Sequence, residues 1–121
     1  MRKKTLLIAD DDRTMHELYP QYLGEKYEYL HAYNGVDALI MTVDLVPDLV
    51  ILDVVMPGLD GRAVCKKIKS YPKTRDVRVV MVTGRLEQSD RLVGFEVGAD
   101  DYIEKPYSLD LLARTIEKQL R

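Results

Sequence analysis

The chain has 121 residues, of which 46% are apolar and 31% are charged, with 18 lysines and arginines against 20 aspartates and glutamates. This length and apolar content predict a single domain over residues 1–121 rather than a disordered chain, and a net charge of −2 does not favour a nucleic-acid-binding surface. One cysteine excludes an internal disulfide and a multi-cysteine zinc site. No apolar run is typical of a membrane span or a signal peptide, so we expect a cytoplasmic protein.

Short β-rich runs alternate with helical segments along the chain. The predicted strands cover residues 5–9, 27–32, 49–52, 77–82 and 101–104. The first, third and fourth runs are almost entirely apolar, as in central strands buried on both faces, whereas the second alternates like an edge strand. Five strands alternating with five helices predict an α/β fold, with a doubly wound parallel sheet covered by helices on both faces.

The first predicted helix carries an apolar stripe at helical spacing, composed of Met15, Leu18, Tyr19, Tyr22 and Leu23. Pro20 lies within this stripe, where it removes a main-chain hydrogen bond and should kink or interrupt the helix. His16 is expected to be an isolated surface histidine. His31, in the second strand, has no partner at ligand spacing.

The second predicted helix is capped by Asn34 and has two apolar faces. Its sheet-facing residues are Ala38, Leu39 and Thr42, and its outer stripe is Val36, Ile40 and Val43. The outer stripe is either a set of scattered surface residues, which are common, or a contact for a partner or a neighbouring domain.

Polar residues follow four of the five predicted strands. Asp10, Asp11 and Asp12 follow the first strand, Asp53 ends the third, Thr83 and Gly84 end the fourth, and Lys105 and Pro106 follow the fifth. Because ligands of open α/β sheets bind beyond the carboxyl ends of the strands, these groups should converge on one site.

Clustered carboxylates need a neutralising cation, and an oxygen-only site suits Mg²⁺ or Mn²⁺. An aspartate can then attack phosphorus, while a lysine, a hydroxyl and a main-chain N–H stabilise the phosphoryl group in transfer.

Four motifs occur in a specific order and spacing: residues 7–12 (LIADDD), 48–61 (DLVILDVVMPGLDG), 82–84 (VTG) and 98–107 (GADDYIEKPY). With them the chain resembles the receiver domain of two-component response regulators over essentially its whole length. The resemblance implies the flavodoxin-like strand order 2-1-3-4-5. It also implies a signalling module that takes a phosphoryl group from a phosphohistidine of a sensor histidine kinase or phosphotransfer protein and then switches the binding of a partner or output.

The resemblance also implies roles for individual residues. Asp53 would be the phosphoacceptor and a metal ligand, Asp11 a direct Mg²⁺ ligand, Asp10 a ligand largely through water, and the Val55 carbonyl the remaining protein ligand. Lys105, Thr83 and the Gly84 amide would contact the phosphoryl oxygens, and Thr83 would act with Tyr102 as the switch. Such a chain is a phosphoacceptor that catalyses its own phosphorylation and slow dephosphorylation, not an enzyme with an external substrate. Asp12 is expected to cap the first helix, and the bond before Pro106 is cis in many receivers.

Charged residues on the predicted fourth helix, fifth strand and fifth helix suggest a homodimer that forms on phosphorylation. Arg91, Asp101 and Arg114 stand where receivers with winged-helix outputs carry charged dimer-face residues. An Asp101–Arg114 pair could be satisfied reciprocally across a two-fold axis. The alternative is solvated surface charges or an intrachain pair, each worth well under about 1 kcal/mol.

Other functions fit the residues less well. A phosphatase of the haloacid dehalogenase type also uses an aspartate nucleophile and Mg²⁺, but it needs an acid two residues after the nucleophile, where this chain has Val55. A flavodoxin-like electron carrier needs a phosphate loop rich in threonine, serine and glycine after the first strand, where this chain has three aspartates. A receiver that works without phosphorylation is disfavoured because no required residue is missing.

Overall fold

The computed structural model describes residues 2–84 and 98–121. The strands are β1 (Lys4–Ala9), β2 (Tyr27–Ala32), β3 (Leu49–Asp53), β4 (Arg78–Thr83) and β5 (Asp101–Glu104). The helices in these ranges are α1 (Arg13–Leu23), α2 (Gly35–Leu45), α3 (Gly61–Ser70) and α4 (Leu109–Gln119), and a 3₁₀ turn (Gly24–Lys26) follows α1. The helix predicted between the fourth and fifth strands lies outside the described residues.

The five strands form one parallel sheet in the order β2-β1-β3-β4-β5, which confirms the predicted fold and strand order. All of β3 is buried, whereas β2, whose sequence alternates, lies at an edge. One apolar cluster packs α2 and α3 against one face of the sheet, and a second packs α1 and α4 against the other. No helix within the described ranges is long and apolar enough to cross a membrane.

Each of these four helices begins at a side-chain cap. The caps are Asp12, Asn34, Asp60 and Ser108, which accept hydrogen bonds from the main-chain N–H groups of Thr14, Asp37, Ala63 and Leu111 at 2.8–3.0 Å. Such caps satisfy N–H groups that have no partner within the helix. They also fix the loops that join the strand ends to the helices, including the loop of three aspartates after β1. The predicted capping role of Asp12 and Asn34 is confirmed.

Helix α1 continues through Pro20, so the interruption expected there does not occur. Pro20 lies in the last turn of the helix, where its ring removes one main-chain hydrogen bond, the one to the carbonyl four residues earlier. Tyr19 and Leu23 are buried on either side of it in the apolar cluster. Their packing holds this turn against the sheet.

The outer apolar stripe of α2 faces solvent. Val36 and Ile40 are 49% and 51% exposed, and Val43 is half-buried. With Tyr71, Ile40 and Val43 line a groove of about 470 Å³ between α2 and the segment that follows α3. A partner contact at this stripe stays a prediction.

Helix α2 ends at Val46, whose main chain is left-handed, with φ of 45° and ψ of 67°. The Val46 N–H donates to the Thr42 carbonyl at 2.9 Å, which satisfies one of the last carbonyls of the helix. Helices often end in this conformation, but usually at glycine or asparagine, because a side chain on Cβ costs roughly 1–2 kcal/mol there. A β-branched residue at this position is therefore strained.

Replacing Val46 by asparagine should raise the free energy of unfolding by about 0.5–1 kcal/mol, because asparagine adopts the left-handed conformation more readily. Urea denaturation measures the change. Val36→Asn is the matched control, since it makes the same substitution at a similarly exposed valine inside the regular helix, and it should give no gain. Equal gains at both sites would contradict backbone strain as the cause.

Candidate functional site

Three aspartates converge beyond the carboxyl ends of β1 and β3. Asp10 follows β1 and Asp53 ends β3, and these two strands are neighbours in the sheet. Asp10, Asp11 and Asp53 each place one carboxylate oxygen within 4.8 Å of the others. Asp10 and Asp53 are only 4% and 6% exposed, while Asp11 is exposed. The structure thus brings together the acidic cluster predicted from the sequence and connects it to solvent at Asp11.

The ends of β4 and β5 lie at the same edge of the sheet. Lys105 Nζ lies 3.5 Å from Asp53 Oδ2. The Lys105 main-chain N–H donates to the Thr83 carbonyl at 2.7 Å, which holds the two strand ends together. The Thr83 side chain is buried and directs its hydroxyl toward the Gly84 carbonyl at 3.4 Å, a long hydrogen bond. The peptide bond between Lys105 and Pro106 is cis, as expected.

Burial dominates the electrostatics of the cluster. It raises the pKa of Asp10 to about 6, with the charge of Asp53 adding to the rise and a hydrogen bond from the Asp12 N–H opposing it. Burial also raises the pKa of Asp53, against the opposing effect of the nearby Lys105 ammonium. Two carboxylates that share a poorly hydrated site disfavour each other's ionised form. A positive charge placed among them would relieve this repulsion.

The acidic cluster fits a hard divalent cation. Its carboxylate oxygens are the ligand type that Mg²⁺ and Mn²⁺ take in proteins, and the exposed side of the cluster leaves room for water ligands. Asp10, Asp11 and Asp53 are the residues that would hold such an ion. Burial raises the pKa of both Asp10 and Asp53, so a positive charge placed beside them would favour their ionised forms.

The end of β3 packs directly on the start of α3, and a glycine permits the contact. The Gly61 N–H donates to the Val54 carbonyl at 2.8 Å. A Cβ on Gly61 would lie 2.3 Å from the Asp53 carbonyl oxygen and 2.8 Å from the Val54 Cα, closer than any side chain tolerates. The absence of a side chain at Gly61 therefore lets α3 brace the main chain of Asp53.

His16 is 6% exposed, so the expectation of an isolated surface histidine is wrong. Its Nδ1 lies 2.8 Å from Nδ1 of His31, and its Nε2 lies 2.8 Å from the Asp10 carbonyl oxygen. His31 therefore has a partner that its sequence position did not suggest. The available signal was spacing, because His16 precedes the buried Tyr19 and Leu23 by three and seven residues on one helix face. Counting histidine as polar hides this pattern.

The remaining predicted site residues lie around the cluster. Val55 is 76% exposed, and its N–H approaches Asp53 Oδ1 at 3.4 Å. Tyr102 is half-buried and packs against the apolar cluster beneath α2 and α3. A coupled movement of Thr83 and Tyr102 stays a prediction.

The predicted dimer face shows intrachain contacts. The Arg114 side chain donates to Asp110 at 3.0 Å, one helical turn away, and Asp101 accepts a hydrogen bond from Gln119 at 3.0 Å. Lys118 Nζ lies 3.9 Å from the same Asp101 carboxylate. Arg91 lies outside the described residues. Self-association through this face stays a prediction.

The acidic cluster should make the metal-free protein less stable as the pH rises. The pKa of Asp10, about 6 in the folded state against 3.8 for the free side chain, favours the folded state below about pH 4, and this advantage is lost as the pH rises through 6. The difference between these two pKa values corresponds to roughly 3 kcal/mol in the free energy of unfolding. Asp10→Asn cannot ionise, so it should be more stable than the wild type at pH 7, by a margin that shrinks toward pH 4.

Urea denaturation of both proteins, in chelator and across pH 4–7, measures this margin. Titrating groups remote from the acidic cluster behave alike in the two proteins, so their pH effects cancel in the difference. A gain from Asp10→Asn that is as large at pH 4 as at pH 7 would contradict buried charge as its source.

The model of the response regulator receiver domain family matches residues 6–117. The chain is 40% identical over 121 residues to the transcriptional regulator ycf27 of Porphyra purpurea, covering 99% of this chain and 49% of that protein. It is 38% identical over 119 residues to the phosphate regulon transcriptional regulatory protein PhoB of Pseudomonas aeruginosa, covering 98% of this chain and 52% of that one. The chain thus spans about half the length of these curated relatives.

Solved structures agree with the sequence relatives. The crystal structure of a response regulator from Chloroflexus aurantiacus superposes with a TM-score of 0.89 at 37% identity, over 98% of both chains. The signal receiver domain of a signal transduction histidine kinase from Syntrophus aciditrophicus gives a TM-score of 0.89 at 35% identity, over 97% of this chain and 89% of that one.

Receiver domains bind a divalent metal in an acidic pocket and act with histidine kinases. The haloacid dehalogenase alternative finds no support. The chain belongs to the response regulator receiver domain family.

Proposed function

We propose that residues 1–121 form a single receiver in which Asp53 accepts a phosphoryl group from the phosphohistidine of a histidine kinase or phosphotransfer protein, with Mg²⁺ in the acidic cluster. The observation that carries this proposal is the convergence of three carboxylates within 4.8 Å, one of which lies 3.5 Å from Lys105. Phosphorylation then changes which partner or output the domain binds.

The proposed transfer assigns one task to each side chain. A carboxylate oxygen of Asp53 attacks the phosphorus atom, and an O–P bond forms as the N–P bond of the phosphohistidine breaks, returning its electron pair to the imidazole nitrogen. Asp10, Asp11, Asp53 and the Val55 carbonyl would hold Mg²⁺, which would supply positive charge to the phosphoryl oxygens. The Lys105 ammonium compensates the charge that the aspartyl phosphate adds. The Thr83 hydroxyl and the Gly84 N–H donate to the remaining oxygens.

The geometry around Thr83 favours it as the moving part of the switch. Its present hydrogen bond to the Gly84 carbonyl is long, at 3.4 Å, so giving it up costs little. A phosphoryl group on Asp53 would offer the hydroxyl a charged acceptor, which makes a stronger bond. We infer that Thr83 turns toward the phosphoryl group and that Tyr102, in the neighbouring strand, adjusts its side chain with it.

Acetyl phosphate should add one phosphoryl group to the wild-type protein when Mg²⁺ is present and none when the metal is chelated. Asp53→Asn should abolish the modification, because an amide is not a nucleophile toward phosphorus. Intact-protein mass spectrometry measures the added mass. Asp60→Asn is the matched control, since Asp60 lies seven residues away as a helix cap that asparagine also provides, and it should be labelled like the wild type. Undiminished labelling of Asp53→Asn would contradict the proposal.

The aspartyl phosphate should be long-lived. Val55 projects into solvent beside Asp53, where its apolar side chain can neither orient a water molecule nor accept its proton. In the receiver family, the side chains two residues after the phosphoacceptor and two after the switch threonine tune hydrolysis, and here these are Val55 and Arg85, which cannot act as a base. Val55→Asn combined with Arg85→Glu, whose site lies outside the described residues, should speed dephosphorylation several-fold. Loss of phosphate after removal of the donor measures the rate. Val36→Asn, at an exposed valine of α2, is the control and should leave the rate unchanged. A decay in the double variant as slow as in the wild type would count against this role of Val55.

A further inference from the structure

We propose that His16 is a positioning residue for the metal site: its Nε2–H donates to the main-chain carbonyl of Asp10 and holds the loop that presents Asp10 and Asp11 to a divalent cation. His31 is the second member of this device, because it fixes which nitrogen of His16 carries the proton. The inference rests on the proposed metal site and adds two residues that the acidic motif does not contain.

The contact with Asp10 defines the direction of the hydrogen bond. A main-chain carbonyl can only accept, so the 2.8 Å contact requires the proton on Nε2 of His16. The Asp10 N–H donates to the Ala32 carbonyl at 3.1 Å, and the Asp10 carboxylate accepts from the Asp12 N–H at 2.9 Å. Asp10 is thus held at its N–H, its carbonyl and its carboxylate. Of these three bonds, the one at the carbonyl comes from a side chain of α1.

The second nitrogen of His16 is oriented by His31. With the proton of His16 on Nε2, its Nδ1 has a free lone pair and accepts the Nδ1–H of His31 across 2.8 Å. Burial, together with the proximity of His16, lowers the pKa of His31, which favours the neutral form of His31. The Tyr33 ring lies 4.2 Å from the His16 ring, centre to centre, and the Arg13 guanidinium lies 4.3 Å from the centre of the Tyr33 ring. These neighbours leave the His16 ring little freedom to turn.

The position of the Asp10 carbonyl matters because Mg²⁺ requires near-ideal octahedral geometry and tolerates displaced ligands poorly. The loop after β1 supplies two of the three clustered carboxylates on successive residues, so a rotation of the Asp10 main chain displaces both. Hydrogen-bonding partners that orient metal ligands commonly account for about 10- to 100-fold in metal affinity. Through its hydrogen bond to the Asp10 carbonyl, His16 orients the main chain that carries two of the proposed metal ligands.

The test compares the affinity for Mg²⁺ alone, by titration calorimetry on the whole chain, in three variants. His16→Leu removes the donor while keeping an apolar side chain, and it should weaken Mg²⁺ binding about tenfold or more. His16→Gln keeps an N–H near the same position and should stay within about threefold of the wild type. Thr74→Val is the matched control, because it removes another buried side-chain donor to a main-chain carbonyl, the 2.7 Å bond to Ile68, and should lower the melting temperature without changing Mg²⁺ affinity.

A kinetic readout separates positioning from a general loss of structure. His16→Leu should need a higher Mg²⁺ concentration than the wild type to reach half of its maximal rate of labelling by acetyl phosphate. At saturating Mg²⁺, its labelling rate should approach that of the wild type. Wild-type Mg²⁺ affinity in His16→Leu, or an equal loss in His16→Gln, would overturn the role of the Nε2 donor while leaving the proposed phosphoacceptor intact. A wild-type chain that binds no Mg²⁺ would instead overturn the proposed metal site, and this inference with it.

Nitrogen NMR of the wild-type protein tests the device without any substitution. The imidazole of neutral His16 should carry its proton on Nε2, with slow exchange because the site is buried. His31→Phe removes the donor to Nδ1 and should loosen this preference and weaken Mg²⁺ binding less than His16→Leu does. A His16 ring protonated on Nδ1 alone would overturn the assignment, since it could not donate to the Asp10 carbonyl.

Discussion

The structure depends on holding two carboxylates side by side in a nearly dry position at the ends of adjacent parallel strands. Asp10 and Asp53 cannot separate easily, because Asp10 is tied to β2 through the Ala32 carbonyl and Asp53 still belongs to the β3 ladder opposite Val82. Burial raises the pKa of both groups and outweighs the nearby ammonium of Lys105 for Asp53. A cation placed beside these carboxylates, or a change in their charge, would therefore change the free energy of unfolding.

The surroundings of the cluster divide into a fixed side and an accessible side. On the fixed side, helices brace the main chain: α1 reaches the Asp10 carbonyl through His16, and α3 approaches Asp53 closely at Gly61. On the accessible side, Asp11 and Val55 are exposed to solvent, and a phosphodonor and water would enter here in the proposed reaction. In the proposed reaction, this division would let the exposed side chains tune the rate without displacing the residues that hold the metal.

The sequence predicts best where one physical signal dominates. The apolar run of β3 and the aspartate that ends it predict both the central strand and the position of Asp53, because few structures other than a strand buried on both faces accommodate such a run. Prediction fails where a residue departs from its usual environment. His16 is buried through a partner 15 residues away in the chain, and Val46 adopts a conformation that β-branched residues avoid. Pro20 breaks a local rule that the packing of α1 overrides. Helical spacing signals the burial of His16, but no local pattern encodes its contact with His31, the left-handed main chain of Val46 or the continuity of α1 at Pro20.

The same electrostatics explain why a chemical change at one carboxylate could act at a distance. In the proposed reaction, a phosphoryl group on Asp53 adds negative charge to a site that is already under-compensated, so nearby donors gain by turning toward it. The Lys105 N–H makes a short bond of 2.7 Å to the Thr83 carbonyl at this edge. The Thr83 hydroxyl, with its long bond to Gly84, is held far less firmly. In the proposed switch, the response would therefore pass through the ends of β4 and β5 to Tyr102, whose side chain is half-buried.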